Sequence, residues 1–505
     1  MFLKRKCITS ILKRRNHGWI KPEGYDTGIK VFNCVTRDKQ PLIVKNKNLV
    51  SWYTCGPTVY DSAHIGHASC FLKLDVIQRI LKEYFNLNIV SVMNITDVDD
   101  KIIAKSNELK ISVQDVAKQF EKEFWQDLDS LNINKPDCVL RVTENMEIIK
   151  EFIRKLMDDQ KAYKATDNSV YFDVHAYESY GKLQKISEES LEPVHFKKSN
   201  MDFALWKASK PNEIFWESSW GTGRPGWHIE CSALASHVFG SEIDIHAGGI
   251  DLRFPHHENE EAQSCCAHGK TQWVNYWLHT GHLHLKGCEK MSKSLKNTLS
   301  ISSMLQNTSA QVFRMACVMS HYRSSMEFSP EFMTTANNLL TSYINFFDTC
   351  RNYSDGYIKA NINNDVVNKL ITDTSDKIYQ ALTDDFNTPL VLKALSEVVT
   401  TINSMLHSTQ SDDGARSVSI ITISNLVVKT LSIFGININK RDVNASENNF
   451  IEVMDILNSF RQEIRQLGIS KRDQDILKLC DNVRDNLKKC GIIVKDHGKL
   501  SSWSL

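Results

Sequence analysis

The sequence predicts an α/β protein with a parallel sheet, an insertion of moderate size within it, a helical bundle and a small C-terminal unit. An apolar strand, a helix and a second strand follow one another within about 45 residues near the N-terminus. Strand character returns near residue 243, and the periodicity is predominantly helical after residue 293. A chain of 505 residues is also too long for one core, so we expect several domains.

The first strand is predicted over residues 49–54, where an apolar run is bounded by a Gly-Pro pair. A helix is predicted over 66–84, because its apolar side chains are spaced to cover one face: Phe71, Leu74, Ile77 and Leu81. The second strand is predicted over 89–95. Such a unit makes a parallel sheet, whose ligands bind at the carboxyl ends of the strands, where Cys55 and Thr96 lie.

Changes of pattern along the chain predict its domain organisation. Residues 141–225 have a mixed pattern, and residues 439–449 form a polar linker. The expected segments are a presequence (1–22), the first half of the sheet domain (23–140), a connective insertion (141–225), the second half of the sheet domain (226–295), a helical region (296–344), a helical bundle (345–438) and a small terminal unit (450–505).

The N-terminal 22 residues are basic and contain no acidic residue. Apolar residues are interspersed with seven cations: Lys4, Arg5, Lys6, Lys13, Arg14, Arg15 and Lys21. This composition is typical of a mitochondrial transit peptide, the alternative being a solvated basic arm. No apolar run reaches the roughly 20 residues of a membrane span, so we expect no membrane association.

Composition restricts the function only weakly. A net charge of +1 neither favours nor excludes nucleic acid, since an RNA-binding enzyme needs only a local basic surface. The thirteen cysteines are odd in number and irregularly spaced, which argues against a disulfide framework and for free thiols in a reducing compartment.

The run His64-Ile65-Gly66-His67 begins the predicted first helix. The unpaired amides and the positive dipole end of a helix N-terminus favour an anion, and two imidazoles three residues apart can donate hydrogen bonds to a phosphoryl group. The alternative is a pair of surface or capping histidines. The position between a strand and a helix favours the phosphate interpretation.

A second basic motif occupies residues 290–294, with lysines at Lys290 and Lys293. A lysine loop that follows a glycine-bearing stretch can close over a triphosphate and neutralise the departing pyrophosphate. Most lysine runs are simply exposed basic loops. The presence of both motifs, about 225 residues apart and in this order, favours a nucleotide site.

Potential metal ligands are distributed between these two motifs. Cys55 follows the first strand, Cys231 follows a Trp-His-Ile-Glu run, and His256 and Glu260 are one helical turn apart. Thiolate and imidazole ligands favour zinc. The alternative is that both cysteines are core thiols. Spacing alone does not distinguish the last two ligands from a second pair, His257 with Glu261.

Together these motifs resemble those of the cysteinyl-tRNA synthetase family of class I aminoacyl-tRNA synthetases, over roughly residues 19 to 505. The resemblance implies a Rossmann-like catalytic domain, with Lys293 as the ATP-contacting lysine and Lys290 as its partner. It assigns catalysis to His64, His67, Lys290 and Lys293. It assigns ATP binding to His64, Gly66, His67, Gly249, Asp251 and Lys293.

The resemblance also implies one zinc ion, held by Cys55, Cys231, His256 and Glu260. The pocket for the cysteine substrate would be lined by Gly56, Thr96 and Trp227, although a tryptophan is more often a packing residue. The reaction would use ATP and Mg²⁺ to form cysteinyl-adenylate and then charge tRNA(Cys). The implied setting is the mitochondrial matrix, and the implied oligomeric state is a monomer.

Two further segments resemble family landmarks. Residues 384–389 match the helical anticodon-binding domain, and Arg461, Arg465 and Trp503 match its terminal unit. Such side chains can stack on unpaired bases, but packing roles are equally expected. Residues 94–103 match a segment linked to a second activity, in which pyridoxal phosphate assists formation of cysteine persulfide. The lysine expected after the two isoleucines is replaced by Ala104, so the match does not extend to that lysine.

Two other functions fit parts of this pattern. One is a cysteine ligase that acts on an amino sugar, which would lack a complete anticodon-reading region. The other is a non-catalytic RNA-binding relative, which would have lost part of the phosphate or metal set. Residues 345–505 and both motif sets are present here, so the sequence favours a tRNA ligase over either alternative.

Overall fold

A computed structural model describes most of the chain. The described residues are 18–184, 195–211, 213–285, 299–408, 417–438, 447–497 and 500–504. Contacts within the chain divide it into two compact units, with the boundary between residues 438 and 439. Among the helices of these ranges, none has the length and apolar character required to cross a membrane.

The first unit mixes strands and helices. Its strands are β1 (Tyr25–Asn33), β2 (Asp38–Val44), β3 (Val50–Thr54), β4 (Ile89–Ile95), β5 (Cys138–Arg141), β6 (Ala162–Lys164), β7 (Val170–Phe172), β8 (Phe203–Ala208), β9 (Gly223–Pro225), β10 (Ile243–Gly249), β11 (Val274–Thr280), β12 (Leu283–Leu285) and β13 (Met326–Phe328). Its helices are α1 (Ile65–Arg79), α2 (Asp100–Leu109), α3 (Val113–Ser130), α4 (Met146–Asp158), α5 (Trp227–Phe239), α6 (Glu258–His268), α7 (Ile301–Leu305), α8 (Ala310–Met319), α9 (Pro330–Ser354), α10 (Asn364–Thr383), α11 (Thr388–Ser408) and α12 (Val418–Ile433).

A five-stranded parallel sheet forms the centre of the first unit, in the order β11-β10-β3-β4-β5. The predicted strand, helix and strand are confirmed as β3, α1 and β4. The chain proceeds from β3 to β4 and β5 on one side and later returns to β10 and β11 on the other. A topological switch point therefore lies between β3 and β10, and ligands of open parallel sheets bind in the crevice beyond such a point.

Helix α1 connects β3 to β4 and packs against the sheet. Its predicted apolar face is buried, as Phe71, Leu74 and Ile77 show. The last predicted turn is present, but residues 80–84 form a π-helical turn instead of continuing the α-helix. The helix begins immediately after His64, so the histidine motif lies at the carboxyl edge of the sheet.

The insertion carries its own sheet, the antiparallel strands β6-β7-β8-β9, with helix α4 packed nearby. Its apolar side chains form a core that includes Phe172, Leu205 and Trp206. The same cluster contains Cys55 and Cys231. The insertion and the central parallel sheet are therefore packed together around the candidate metal ligands.

Helices α8 to α12 complete the first unit and agree with the predicted helical character after residue 293. The second unit contains α13 (Glu447–Lys471), α14 (Gln474–Lys489) and a hairpin of β14 (Ile493–His497) and β15 (Leu500–Ser504). In it, buried Arg461 donates to Asp496 at 2.7 and 3.0 Å. This buried ion pair favours the packing role for Arg461 over stacking on RNA bases.

Candidate functional site

The histidine motif forms the N-terminal cap of α1. The backbone N–H of Gly66 donates to Nδ1 of His64 at 3.1 Å, and the backbone N–H of His64 donates to Nδ1 of His67 at 3.3 Å. The two rings stack with centroids 3.8 Å apart. Because both Nδ1 atoms accept hydrogen bonds, the neutral rings carry their protons on Nε2. The cap thus orients two N–H donors side by side at the start of the helix.

The lysine motif lies outside the described residues, and so do Lys290 and Lys293. The described chain ends at Leu285 before this segment and resumes at Leu299 after it. The backbone N–H of Ile65 donates to the carbonyl oxygen of Leu299 at 3.0 Å. Leu299, where the described chain resumes after the lysine motif, is therefore hydrogen-bonded to Ile65, the residue next to His64.

The other residues assigned to ATP lie at the same edge of the sheet. Gly249 is the last residue of β10, and Asp251 is exposed just beyond it. A Cβ atom at Gly249 would be 2.5 Å from Oδ1 of Asp251 and 3.9 Å from Sγ of Cys70 on α1. A side chain at position 249 would therefore require the Asp251 carboxylate to move.

The four predicted metal ligands converge. One donor atom from each of Cys55, Cys231, His256 and Glu260 lies within 4.8 Å of the others, and all four residues are buried. Oε1 of Glu260 is 3.4 Å from Sγ of Cys55 and 3.1 Å from Nε2 of His256. Residues separated by up to 205 positions thus meet at one point.

The Cys55 thiol donates to Glu260 and the Cys231 thiol to Asn94, both at 3.4 Å, whereas the buried Nε2 of His256 lacks a hydrogen-bond partner, even with Glu260 nearby. Burial lowers the pKa of His256, leaving its imidazole neutral and able to coordinate a cation. Burial also raises the pKa of Cys55, as do the neighbouring Cys231 and Glu260, and it raises the pKa of Cys231 to about 11. Two thiols, an imidazole and a carboxylate without a cation suit zinc, which would deprotonate the thiols.

A second donor set shares two of these residues. Cys55 and Glu260 also group with His246 and His257, again within 4.8 Å. Nε2 of His246 is 2.9 Å from Oε2 of Glu260, and Nε2 of His257 is 3.5 Å from Sγ of Cys55. His246 was not identified as a site residue from the sequence, because a single histidine in a predicted strand resembles a core residue.

Of the alternative pair, His257 lies among the candidate ligands and Glu261 does not. Glu261 belongs to neither donor set and instead binds Nζ of Lys182 at 2.6 Å. Residues 253–257, which include both histidines, form a π-helical turn with a non-helical Phe254 immediately before α6. This turn directs both His256 and His257 toward the cluster, a result that regular helical spacing does not give.

The predicted cysteine-pocket residues surround the metal ligands. A Cβ atom at Gly56 would overlap the carbonyl oxygen of Asn94, and the Gly56 N–H donates to Oδ1 of Asn94 at 2.9 Å. The buried hydroxyl of Thr96 donates to Oε2 of Glu230 at 2.6 Å. Trp227 stacks on His256, with centroids 4.1 Å apart, and remains 38% exposed. Its ring is therefore positioned at the open side of the cluster.

The landmark at residues 384–389 has a structural role. The Asp385 carboxylate is fully buried and accepts from the Phe32 N–H at 2.9 Å, the Tyr322 hydroxyl at 2.8 Å and Nε of Arg323 at 2.7 Å. The adjacent Asp384 is half exposed and pairs with Lys39. Asp385 thus ties the end of α10 to β1 and to the loop after α8.

The parallel sheet, its switch-point crevice and the histidine-capped helix define a class I aminoacyl-tRNA synthetase. The family model for "tRNA synthetases class I (C) catalytic domain" matches residues 42–338, and the DALR domain model matches 377–439. The methionyl-tRNA synthetase of Mycobacterium tuberculosis, solved with methionyl-adenylate, superposes with a TM-score of 0.55 and 14% identity, covering 77% of this chain and 90% of that one. A leucyl-tRNA synthetase of Agrobacterium radiobacter gives 0.57 and 8%, covering 78% and 84%. At these identities the superpositions establish the fold.

Relatives with higher identity define the family. A probable mitochondrial cysteine–tRNA ligase of Xenopus tropicalis is 39% identical, over 96% of this chain and 91% of that protein. A cytoplasmic cysteine–tRNA ligase of Dictyostelium discoideum is 39% identical, over 95% and 78%. The cysteine–tRNA ligase of Thermococcus onnurineus is 37% identical, over 94% and 98%. The chain belongs to the cysteine–tRNA ligase family.

Proposed function

We propose that this site selects cysteine at a zinc ion and activates it with ATP for transfer to tRNA(Cys), in the reaction of the family to which the chain belongs. The observation that carries the proposal is the convergence of four buried donors from Cys55, Cys231, His256 and Glu260. When bound, zinc would take the substrate side chain as a thiolate, a bond that serine, alanine and valine do not offer. Such discrimination makes an editing site unnecessary.

Activation of the carboxylate depends on the N-terminus of α1. The substrate carboxylate attacks the α-phosphate of ATP, and the paired Nε2–H groups of His64 and His67 donate to the phosphate oxygens as charge develops. The helix dipole at Gly66 acts in the same direction. Lys290 and Lys293 are assigned to the departing pyrophosphate, and Mg²⁺ accompanies ATP.

The remaining pocket residues orient the substrates. Gly249 and Asp251 are assigned to the adenosine ribose, because they lie at the carboxyl end of β10, beside α1. Gly56, Thr96 and Trp227 form the walls of the amino-acid pocket. Acceleration would then come from positioning and electrostatic stabilisation, without a covalent enzyme intermediate.

Transfer to tRNA would follow at the same crevice. A hydroxyl of the terminal ribose of tRNA(Cys), its 2′-OH, attacks the activated carbonyl and releases AMP. We assign residues 296–344 to the acceptor stem, and the helices of 345–438 with the unit at 450–505 to the anticodon. The DALR match within the bundle supports an RNA acceptor over an amino sugar.

We further propose that the enzyme acts as a monomer in the mitochondrial matrix. The basic, acid-free residues 1–22 support import, and the Xenopus relative is described as mitochondrial. Expression of the chain with a C-terminal fluorescent tag, with and without residues 1–22, tests this. Loss of mitochondrial fluorescence on truncation is expected, whereas unchanged mitochondrial targeting would refute the presequence.

The zinc proposal is tested by Cys231→Ser, with Cys350→Ser as the control because Cys350 is a buried thiol outside the cluster. Wild-type protein should hold one zinc per chain and catalyse ATP–pyrophosphate exchange with cysteine but not with serine. Cys231→Ser should lose zinc, and its kcat/KM for cysteine should fall by about 100-fold or more. The control should keep both properties. Loss of zinc with an unchanged KM for cysteine would make the ion structural.

A further inference from the structure

Helix α6 is held by residues 180–183 of the insertion. The Glu258 carboxylate accepts three successive backbone N–H groups, from Gly181 at 2.8 Å, Lys182 at 3.0 Å and Leu183 at 2.7 Å. The hydroxyl of Tyr180 also donates to the side chain of Asn259. These contacts fasten the first turn of α6 to residues 180–183.

Lys182 completes this attachment with a buried ion pair. Its Nζ lies 2.6 Å from Oε1 of Glu261, and the two side chains are only 3% and 0% exposed. The ammonium also donates to the carbonyl oxygen of Thr271 at 3.2 Å. The second carboxylate oxygen of Glu261 accepts from the backbone N–H of Val274, the first residue of β11, at 3.3 Å. Lys182 thus links the insertion, α6 and the central sheet.

The location of this ion pair matters because Glu261 directly follows Glu260. Successive residues of an α-helix point about 100° apart, so the direction of Glu261 fixes that of Glu260. Oε1 of Glu260 lies 3.1 Å from Nε2 of His256 and 3.4 Å from Sγ of Cys55. A rotation of α6 by a small angle would move this oxygen out of the donor set.

We propose that Lys182 is a positioning residue for the metal centre: by neutralising buried Glu261, it holds α6 in the rotation that presents Glu260 to the ion. This inference rests on the proposed zinc site. Without the ammonium, Glu261 is a buried carboxylate without its cation. Leaving a buried charge unpaired is costly, which favours a movement of Glu261 toward water and with it a rotation of α6. Partners that orient metal ligands typically change metal affinity by about 10–100-fold.

The test is Lys182→Met, which keeps the length of the side chain and removes its charge. The control is Lys198→Met, also in the insertion, because Lys198 pairs with Asp173 at 3.2 Å but is 58% exposed. Zinc affinity is measured on the full chain by competition with a chromophoric chelator. Lys182→Met should bind zinc at least tenfold more weakly, and Lys198→Met should bind it as tightly as wild type. Equal affinity of Lys182→Met and wild type would overturn the proposal.

A double variant, Lys182→Met/Glu261→Gln, removes both charges and therefore leaves no unpaired ion. Its zinc affinity should return to within about threefold of the wild-type value, while Glu261→Gln alone should bind more weakly than the double variant. A double variant as weak as Lys182→Met would overturn the proposal. If Lys182→Met does not fold, the double variant and Glu261→Gln still carry this comparison.

Cobalt substitution separates a positioning role from a merely structural one. The visible d–d bands of bound Co²⁺ report ligand geometry, so Co²⁺-loaded Lys182→Met should give shifted or weakened bands in folded protein. A purely structural role would lower the unfolding temperature and leave the spectrum unchanged, and that result would overturn the proposal. Wild-type protein that binds neither zinc nor Co²⁺ would instead refute the zinc site itself. The experiments therefore distinguish failure of the Lys182 proposal from failure of the zinc-site proposal.

Discussion

Two buried polar clusters of the first unit differ in how their atoms are paired. At the base of α1, the Asp75 carboxylate accepts from Arg79 at 2.8 Å, from Arg314 at 2.8 Å and from the Asn134 N–H at 3.0 Å. In the metal cluster, Nε2 of His256 has no hydrogen-bond partner, and no lysine or arginine of the described chain pairs with Glu260.

The difference separates a structural cluster from a ligand site. Buried charges that stabilise a fold are paired and hydrogen-bonded, because an unpaired buried polar group costs free energy. The two terminal nitrogens of Arg314 meet this condition, since they donate to Asp75 and to the carbonyl oxygens of Leu131, Asn132 and Phe434, whereas its Nε has no hydrogen-bond partner. In the metal cluster, Nε2 of His256 does not meet it with protein atoms alone. A cation bound at the proposed zinc site would supply its partner.

Arg314→Met should give the largest change in stability. The substitution leaves Asp75 buried with one fewer cation, and breaking such a pair costs about 3–5 kcal/mol. Urea denaturation measures the free energy of unfolding. Arg351→Met is the control, because Arg351 is 69% exposed and its ion pair with Asp355 is 3.7 Å long. It should cost less than about 1 kcal/mol.

The same measurement on metal-free protein sharpens the comparison. In metal-free protein, Cys231→Ser should lower the free energy of unfolding less than Arg314→Met does, because Cys231 has no charged partner to lose. Arg314→Met/Asp75→Asn should recover part of the lost stability, since it removes both charges. If Arg314→Met were no more destabilising than Arg351→Met, the buried ion pair of Arg314 with Asp75 would not stabilise the fold.

Asp385→Asn should give an intermediate effect. The amide cannot accept from all of the Phe32 N–H, the Tyr322 hydroxyl and the Arg323 guanidinium, and hydrogen bonds to a charged group contribute about 1.5–3 kcal/mol. The adjacent Asp384→Asn is a matched control, because Asp384 is 49% exposed and should contribute less than about 1 kcal/mol. Thermal unfolding monitored by circular dichroism compares the two. Equal effects would contradict the assignment of Asp385 as a buried junction.

His279→Gln should give the smallest change, seen as a change in pH dependence. Nε2 of His279 lies 3.0 Å from Nδ1 of His257, and burial, with Arg253 and His246, lowers the pKa of His279 to about 3. Between pH 6.5 and 3 the unfolded chain therefore takes up a proton that the folded protein does not. Stability is lost as the pH falls through this range, by about 1.4 kcal/mol per pH unit for one histidine.

Glutamine keeps a hydrogen-bonding group at position 279 and does not titrate. The slope of unfolding free energy against pH, measured in metal-free protein between pH 6 and 5, should therefore decrease by about 1.4 kcal/mol per pH unit. The exposed His237→Gln provides the control. An unchanged slope for His279→Gln would mean that burial does not hold the His279 imidazole neutral in the folded protein.

Much of the fold could be predicted because it depends on local pattern. The apolar periodicity of α1 and the short runs of β3 and β4 were sufficient to define a parallel sheet. The position of His64 before a helix followed from the same pattern. The π-helical turn at residues 80–84 was not predicted, because no signal in the sequence indicated a departure from the α-helix there.

The candidate site could be predicted only in part from the sequence. Residue type and order identified Cys55 and Cys231 as potential zinc ligands, since thiol chemistry belongs to the side chain itself. The sequence alone left His256 and His257, and likewise Glu260 and Glu261, as equal alternatives. Tertiary structure decided between the carboxylates and added His246. The reason is physical: a π-turn changes the direction of neighbouring side chains, and Lys182, far away in sequence, neutralises Glu261.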